Sequence, residues 1–318
     1  MTRAWSRVRP AVARNRFPQD RGLATRMVVT AFLLGALYAV VITALLLAHV
    51  QLGLVLVIAV VLLFSQYWFS DRIALFSMNG RIVTPEEAPQ LHAVVDRLCA
   101  LADMPKPAVA IADVDLPNAF ATGRSPKRAV VCATTGILRR LDTEELEGVL
   151  AHELSHVAHR DVAVMTVASF LGVAAGFVTR FALYSEMFGG FNRRSNNNDQ
   201  GGGVAVVFVV LLFSMVIYAI SFVLTRALSR YRELSADRSG ALLTGRPSAL
   251  ASALTKVTGE MSRIPSRDLR HAEAFNAFFF APALSQGFSI SSLFSTHPSL
   301  EVRLRQLAHI SQQLGQPV

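Results

Sequence analysis

The chain has 318 residues and a net charge of +9, and 52% of its residues are apolar while only 17% are charged. The apolar residues fall in long blocks rather than in amphipathic stripes, a pattern that favours a lipid bilayer around much of the chain. Two cysteines without C-x-x-C spacing exclude a disulfide framework and a zinc finger, and no basic stripe is interleaved with aromatics as in nucleic-acid-binding proteins.

Residues 1–26 hold seven arginines and are predicted to form a cytoplasmic leader. Residues 27–50 contain no charged side chain and are long enough to cross a hydrocarbon core of about 30 Å as a helix. Residues 52–69 follow almost at once, so we predict a transmembrane hairpin over residues 27–70. A signal peptide is the alternative, but the apolar run is too long and no small-residue cleavage site follows it.

Residues 71–161 are predicted to form a soluble domain. Thr84, Pro85 and Glu87 have capping-box spacing and predict a helix from Pro85 to about residue 102. Short β-prone runs at 108–111, 118–122 and 129–133 predict a small antiparallel sheet. A second capping box, from Asp142 to Glu145, predicts the start of another helix.

Two further apolar blocks, 162–184 and 204–225, flank a Gly/Asn-rich stretch and predict a second hairpin over residues 162–225. A pair of core helices in a soluble domain is the alternative, because Arg180 lies inside the first block. Residues 226–318 are predicted to be a helical, cytoplasmic portion. The distribution of arginines predicts that both termini and the soluble parts lie in the cytoplasm.

The helix after Asp142 contains the pattern H-E-x-x-H, formed by His152, Glu153 and His156. Residues four apart on a helix share a face about 6 Å apart along the axis, so both imidazoles can bind one zinc ion. Glu153 is then predicted to activate the attacking water. Position 159 is His and position 162 is Val, which excludes the metzincin extension; His159 lies too far along the axis to join His152 on one ion.

Catalytic zinc needs a third protein ligand, and Glu233 is the predicted one. If the last two apolar blocks form a hairpin, His156 and Glu233 lie at about the same height above the bilayer. The alternative is a surface glutamate paired with a neighbouring arginine. Asp237, one turn further on, is predicted to accept an N–H from a ligating imidazole. We therefore predict one Zn²⁺ per chain.

These features together resemble a known family. Besides the H-E-x-x-H helix they include residues 117–123 (PNAFATG), residues 229–237, residues 296–299 (THPS) and Arg303. The chain resembles HtpX-type membrane metalloproteases, which are gluzincins related to the CAAX prenyl proteases. It differs from that pattern at Leu234, where an aromatic residue is usual, and in its longer leader.

The resemblance implies an integral, multi-pass zinc endopeptidase of the cell (inner) membrane with its active site in the cytoplasm, and with zinc on His152, His156 and Glu233. It implies hydrolysis of misfolded or damaged membrane proteins during stress, so polypeptides and the bilayer are the expected partners and nucleic acid is not. The predicted fold is a mainly α membrane protein (α+β), with about four transmembrane helices and a cytoplasmic gluzincin-like metalloprotease domain carrying a small β-sheet.

Several further residues are candidates for contact with substrate. Asn118, Ala119 and Phe120 lie in a predicted strand whose open edge would pair with an extended peptide; an inner strand is the alternative. His297 and Arg303 are candidates for stabilising the oxyanion; the alternatives are a histidine at a helix start and a solvated arginine.

Two other functions fit parts of the sequence. A zinc-binding membrane scaffold without catalysis would not require Glu153, which the chain has beside both histidines. A protease that processes prenylated proteins would use the same chemistry but would need a large chamber within the membrane. Four spans provide little wall for such a chamber.

Overall fold

The computed structural model describes residues 21–47, 78–123, 125–161, 163–170, 200–263 and 297–316, with isolated positions at 172, 174 and 175 and between 57 and 76. Its helices are α1 (Arg21–Leu47), α2 (Pro89–Ala102), α3 (Thr135–Arg140), α4 (Thr143–Ala158), α5 (Gln200–Thr244), α6 (Pro247–Arg263) and α7 (Leu300–Gln313). Its strands are β1 (Gly80–Ile82), β2 (Ala108–Ala112), β3 (Ala119–Thr122) and β4 (Val130–Thr134). Residues 163–170 are also helical. The described chain is therefore mainly helical with one small sheet, as predicted.

The sheet is mixed, whereas the sequence predicted an antiparallel one. Its strand order is β1-β2-β4-β3. β1 and β3 pair antiparallel at the two edges, but β2 and β4 run parallel, with Ala110 opposite Cys132. The chain places β3 one position further out and then returns β4 into the gap, so β4 runs in the direction of β2. The antiparallel prediction was wrong for this pair because strand order is set by that crossover and not by the strands' own residues.

Helix α4 begins at the predicted capping box and packs within the main buried cluster of the described residues. The Asp142 side chain accepts from the Glu145 N–H at 2.9 Å, and the Asp142 N–H donates to Oε2 of Glu145 at 3.0 Å. One face of the sheet packs on α4. This face and helices α2, α4, α6 and α7 contribute to a single buried cluster that includes Val131, Leu150 and Leu254. The middle of α4, which holds the H-E-x-x-H pattern, is thus enclosed by other elements.

Helix α2 begins at Pro89, four residues later than predicted. Oε2 of Glu87 accepts from the Thr84 N–H at 2.8 Å, as a capping box requires, but the chain only makes an isolated turn there. Proline disfavours helical geometry in the residue before it, and Ala88 has φ −140° and ψ 63°. A helix started at Pro85 cannot run through Ala88, so the prediction was wrong.

Helices α1 and α5 expose long apolar faces. They pack together with the 163–170 segment through Leu34, Ala168 and Leu228. Their outer faces stay uncovered, with Phe32 73% and Val223 61% exposed. Within the described residues, one helical segment is long and apolar enough to span a membrane, namely Leu211–Thr244 of α5. Only 22% of its most apolar stretch is buried. A shorter apolar helical segment covers Thr25–Val41 of α1. An apolar surface of this extent fits lipid rather than water.

The predicted spans are only partly covered by the structure. The first lies in α1, and the block 204–225 lies in α5, which continues without a break to Thr244. A helix of 45 residues is about 68 Å long, more than twice the hydrocarbon thickness of about 30 Å. Residues 1–20, most of the second predicted span, the end of the third block and residues 189–199 lie outside the described residues.

Candidate metal centre

Helix α4 presents three side chains of the H-E-x-x-H pattern inside the protein. His152 and Glu153 are buried and His156 is mostly buried. The two imidazole rings lie one helical turn apart with centroids 4.9 Å apart, and their Nε2 atoms are 3.2 Å apart. Both rings therefore direct the same kind of nitrogen toward a common point.

Glu233 of α5 reaches that point from a second element. Its Oε2 lies 3.6 Å from Nε2 of His152, and its Oε1 lies 3.5 Å from Nε2 of His156. The ligand atoms of the three residues all lie within 4.8 Å of one another. In a tetrahedral site with bonds of about 2.05 Å, neighbouring ligand atoms are about 3.3 Å apart. Each Nε2 atom is thus at about this spacing from the other Nε2 and from one of the two oxygens of Glu233. Two imidazoles with one carboxylate also fit a divalent ion chemically.

Gly240 allows α5 to lie against α4 at this centre. A Cβ at this position would lie 2.9 Å from the backbone N of His152 and 3.2 Å from the carbonyl carbon of Ala151. No side chain larger than hydrogen fits without moving one helix. The distance between the histidines and Glu233 therefore depends on this glycine.

A buried carboxylate stands behind His152. Oδ1 of Asp237 lies 2.9 Å from Nδ1 of His152. Arg303 of α7 donates to the same carboxylate from Nε at 2.7 Å and from Nη2 at 2.6 Å. Asp237 thus lies beside the imidazole of His152, and Arg303 is bound to this aspartate instead of being solvated.

A second carboxylate, which the sequence reading missed, stands behind His156. Oδ2 of Asp161 lies 2.6 Å from Nδ1 of His156, and Nη2 of Arg232 lies 2.9 Å from the same oxygen. The only signal in the sequence was an aspartate five residues after His156, just beyond the end of α4. Helical spacing alone does not bring that residue back to the imidazole.

Glu153 contacts the sheet. The Ala121 N–H of β3 donates to Oε2 of Glu153 at 2.9 Å. Burial raises the pKa of Glu153, while the neighbouring charges of His152 and His156 lower it and limit the rise. A raised carboxyl pKa suits a group that must accept a proton near neutral pH.

Electrostatics favour the charged forms of His152 and of the aspartate behind His156. Burial favours neutral His152, but its contacts with Asp237 and Glu233 outweigh burial and raise its pKa to about 9. Burial raises the pKa of Asp161, yet Arg232 and His156 hold it at about 2. Asp161 is therefore an ionised carboxylate inside the protein.

Strand β3 is an edge strand and lies beside Glu153. This placement agrees with the predicted open edge and, for the sheet that the structure describes, excludes the alternative of an inner strand. The carbonyl of Asn118 accepts from the Thr134 N–H at 2.9 Å, so it faces β4. Backbone groups alternate along a strand, so those of Phe120 also face β4 while those of Ala119 and Ala121 face the open edge. The Phe120 side chain packs into a small cluster on the face of the sheet away from α4.

His297 lies directly against the proposed ligand Glu233. Its Nδ1 is 2.9 Å from Oε2 of Glu233, and both side chains are buried. It precedes Pro298 and Ser299, which lead into α7. The structure thus brings both His297 and Arg303 to the centre, one on a ligand and the other on Asp237.

Known proteins resemble this chain over nearly its whole length. Residues 85–311 match the model of Peptidase family M48. Protease HtpX homolog 1 of Streptomyces coelicolor is 61% identical over 302 residues, which cover 95% of this chain and 97% of that protein. A Protease HtpX homolog of Moorella thermoacetica is 51% identical over 95% of this chain and 98% of its own. The crystal structure of S. mikatae Ste24p has a TM-score of 0.50 at 16% identity over 91% of this chain and 67% of its own, which shows a common fold.

Proposed function

Since the chain belongs to peptidase family M48, we propose that it is a zinc endopeptidase that hydrolyses peptide bonds of misfolded or damaged membrane proteins. The family and the HtpX relatives make the chain a membrane metallopeptidase. The proposal concerns the identity of the metal, the substrates and the roles of the residues. The main support for the proposal is that one ligand atom each from His152, His156 and Glu233 lie within 4.8 Å of one another. Glu153 lies on the helix that holds both histidines.

His152, His156 and Glu233 would hold the zinc ion and leave a coordination position open. Zinc bound there supplies a Lewis acid that polarises the scissile carbonyl and increases the acidity of water. Glu153 accepts the proton of the attacking water and transfers it to the leaving amine. Its hydrogen bond from the Ala121 N–H holds one carboxylate oxygen in place and leaves the other for this proton.

The open edge of β3 would bind the substrate as an added strand. The outward-facing N–H and carbonyl of Ala119 and the carbonyl of Ala121 would pair with an extended peptide, while the Ala121 N–H is bound to Glu153. Binding through the backbone tolerates many sequences, as degradation of diverse misfolded proteins requires. Replacing Ala119 by proline should remove one outward N–H from this edge strand while keeping the hydrogen bond from Ala121 to Glu153. We expect a higher KM for unfolded substrates; an unchanged KM would argue against strand pairing.

His297 is the better candidate of the two for the developing oxyanion. His297 is in direct contact with the proposed ligand Glu233. The Arg303 guanidinium, in contrast, is bound to Asp237, which is not a proposed ligand. We assign Arg303 to holding Asp237. His297→Ala should lower kcat more than it raises KM, because an oxyanion forms only after the substrate has bound.

The proposed location is the cell (inner) membrane, crossed several times, with both termini and the active site in the cytoplasm. The arginines of the leader and of the start of the last portion support this orientation. A test is Ser195→Cys in intact cells, treated with a membrane-impermeant maleimide. The native thiols will not interfere, because burial raises the pKa of Cys99 to about 11 and that of Cys132 to about 12. Labelling from outside supports two crossings between residues 162 and 225, and labelling only after lysis contradicts them.

The test of the function uses the full-length protein in detergent with casein as an unfolded substrate. Wild-type protein should produce fragments, and a chelator should prevent cleavage until zinc is restored. Glu153→Gln should lower kcat by about 10²- to 10⁴-fold while zinc stays bound. The matched control is Glu144→Gln, because Glu144 is an exposed glutamate on the same helix that pairs with Arg246.

The outcomes separate the three candidate functions. Chelator-sensitive cleavage of casein that requires Glu153 supports the proposal. Retained zinc without cleavage indicates a zinc-binding scaffold. Cleavage of a farnesylated peptide but not of the same peptide without lipid indicates a prenyl-protein protease.

A further inference from the structure

The second imidazole of the metal centre is held by a carboxylate and a guanidinium that the sequence did not reveal. We propose that Asp161 and Arg232 form a positioning pair that orients His156 toward the metal. This inference rests on the proposed function, because it requires a metal at this centre.

The contacts join three mostly buried side chains in a row. Oδ2 of Asp161 lies 2.6 Å from Nδ1 of His156 and 2.9 Å from Nη2 of Arg232. The exposed fractions of the side chains are 12% for His156, 5% for Asp161 and 10% for Arg232. Little water reaches these groups, so each hydrogen bond constrains its partners strongly.

The carboxylate determines which nitrogen of His156 carries the proton. A carboxylate beside Nδ1 favours the tautomer with its proton on Nδ1. The lone pair is then on Nε2, the atom that lies 3.5 Å from Oε1 of Glu233 and 3.2 Å from Nε2 of His152. Asp161 therefore presents the imidazole in the form that binds a cation.

An unusual backbone conformation brings Asp161 to this position. Helix α4 ends at Ala158, and Arg160 has a φ of 56°, in the left-handed region that non-glycine residues rarely adopt. The Arg160 N–H donates to the carbonyl of Val157 at 3.1 Å, which closes the turn. The helical path of α4 is thus broken at Arg160, and Asp161 lies beside an imidazole from the last turn of α4.

Arg232 makes the buried carboxylate tolerable and fixes its orientation. A buried carboxylate without a cation would be strongly destabilising. Arg232 immediately precedes Glu233 on α5, so one helix supplies both a metal ligand and the cation that holds the carboxylate behind another ligand. The first imidazole has the same arrangement, in which Arg303 donates two hydrogen bonds to Asp237. Each histidine of the centre is thus backed by its own buried aspartate and arginine.

The test measures metal binding rather than proteolysis alone. The full-length protein in detergent is stripped of metal, and its zinc Kd is measured by competition with a chromophoric chelator. Asp161→Asn keeps the size of the side chain but removes its charge. We expect zinc affinity to fall by about 10- to 100-fold, with a changed visible spectrum of the Co²⁺-loaded protein. The matched control is Asp115→Asn, which weakens an exposed Asp–Arg pair away from the centre and should bind both metals as wild type does.

A second variant covers the case in which Asp161→Asn does not fold because Arg232 has lost its buried counterion. Asp161→Asn combined with Arg232→Gln removes both charges and should show the same loss of zinc affinity. Wild-type zinc affinity and Co²⁺ spectrum in a folded variant would overturn the inference, even if its thermal midpoint is lower. Absence of zinc binding by the wild-type protein would overturn the metal centre itself, and the inference with it.

Discussion

Replacing Gly240 by alanine tests whether close contact between α4 and α5 sets the geometry of the metal centre. The added Cβ would lie 2.9 Å from the backbone N of His152, and ordinary contacts of a Cβ begin at 3.4 Å. The helices must therefore separate by about 0.5 Å, because the contacted atoms belong to the backbone and cannot rotate away. Glu233 lies on the displaced helix, so its distance from both imidazoles changes as well.

The magnitude has two parts. Overpacking costs about 1–3 kcal/mol, and the better helix propensity of alanine returns about 1 kcal/mol, so the net loss of stability is at most about 2 kcal/mol. Because a misplacement of about 1 Å can lower the rate about 100-fold, a shift of half that size should lower kcat/KM about tenfold. The loss of activity should thus exceed what the loss of stability explains.

Gly259→Ala is the matched control. Gly259 also lies within a helix, α6, but its Cβ would meet no atom within 4 Å. The free energy of unfolding of this variant should rise by up to about 1 kcal/mol, and its rate of casein cleavage should equal that of the wild type. The measurements are thermal midpoints of the metal-free proteins in detergent and initial rates of casein cleavage with zinc. If Gly240→Ala matches Gly259→Ala in both, the contact does not set the geometry of the centre and the reasoning is refuted.

Three further changes have defined outcomes. Zinc should stabilise the wild-type protein by about 2.7 kcal/mol at a free zinc concentration of 100 Kd, and Glu233→Gln should remove most of this stabilisation. If zinc raises the thermal midpoint of the wild type and of Glu233→Gln equally, Glu233 is excluded as a ligand. Asp142→Ala removes the cap of α4 and should lower the free energy of unfolding by about 1 kcal/mol without changing zinc affinity, as measured by thermal unfolding with and without zinc. Arg160→Gly should leave cleavage unchanged and stability equal or slightly higher, because glycine adopts its φ of 56° without strain; a large loss of stability would contradict that account of the turn.

The sequence predicted the parts of the centre that depend on spacing within one helix. The cap at Asp142 begins α4, and the separation of His152 and His156 by four residues places both imidazoles on one face. The same periodicity related Asp237 to Glu233. The structure brings these side chains together, although their roles in binding metal and in catalysis stay predictions.

Long-range packing decided what local spacing could not. Asp161 reaches His156 through the left-handed turn at Arg160. The sequence did not indicate this turn, because the residue with positive φ is an arginine and not a glycine. Arg303 was a candidate to act on substrate until the fold placed it on Asp237, 66 residues earlier in the chain.

The amino-acid sequence by itself determined the apolar blocks, the capped helix and the ligand types of the centre, because these follow from composition and from the repeat of the α-helix. Only the tertiary structure decided the parallel place of β4, the edge position of β3 beside Glu153 and the arginine behind each aspartate. The physical reason is that many arginines and strand edges were locally equivalent. Burial then selected the few whose charges and hydrogen bonds could be satisfied together.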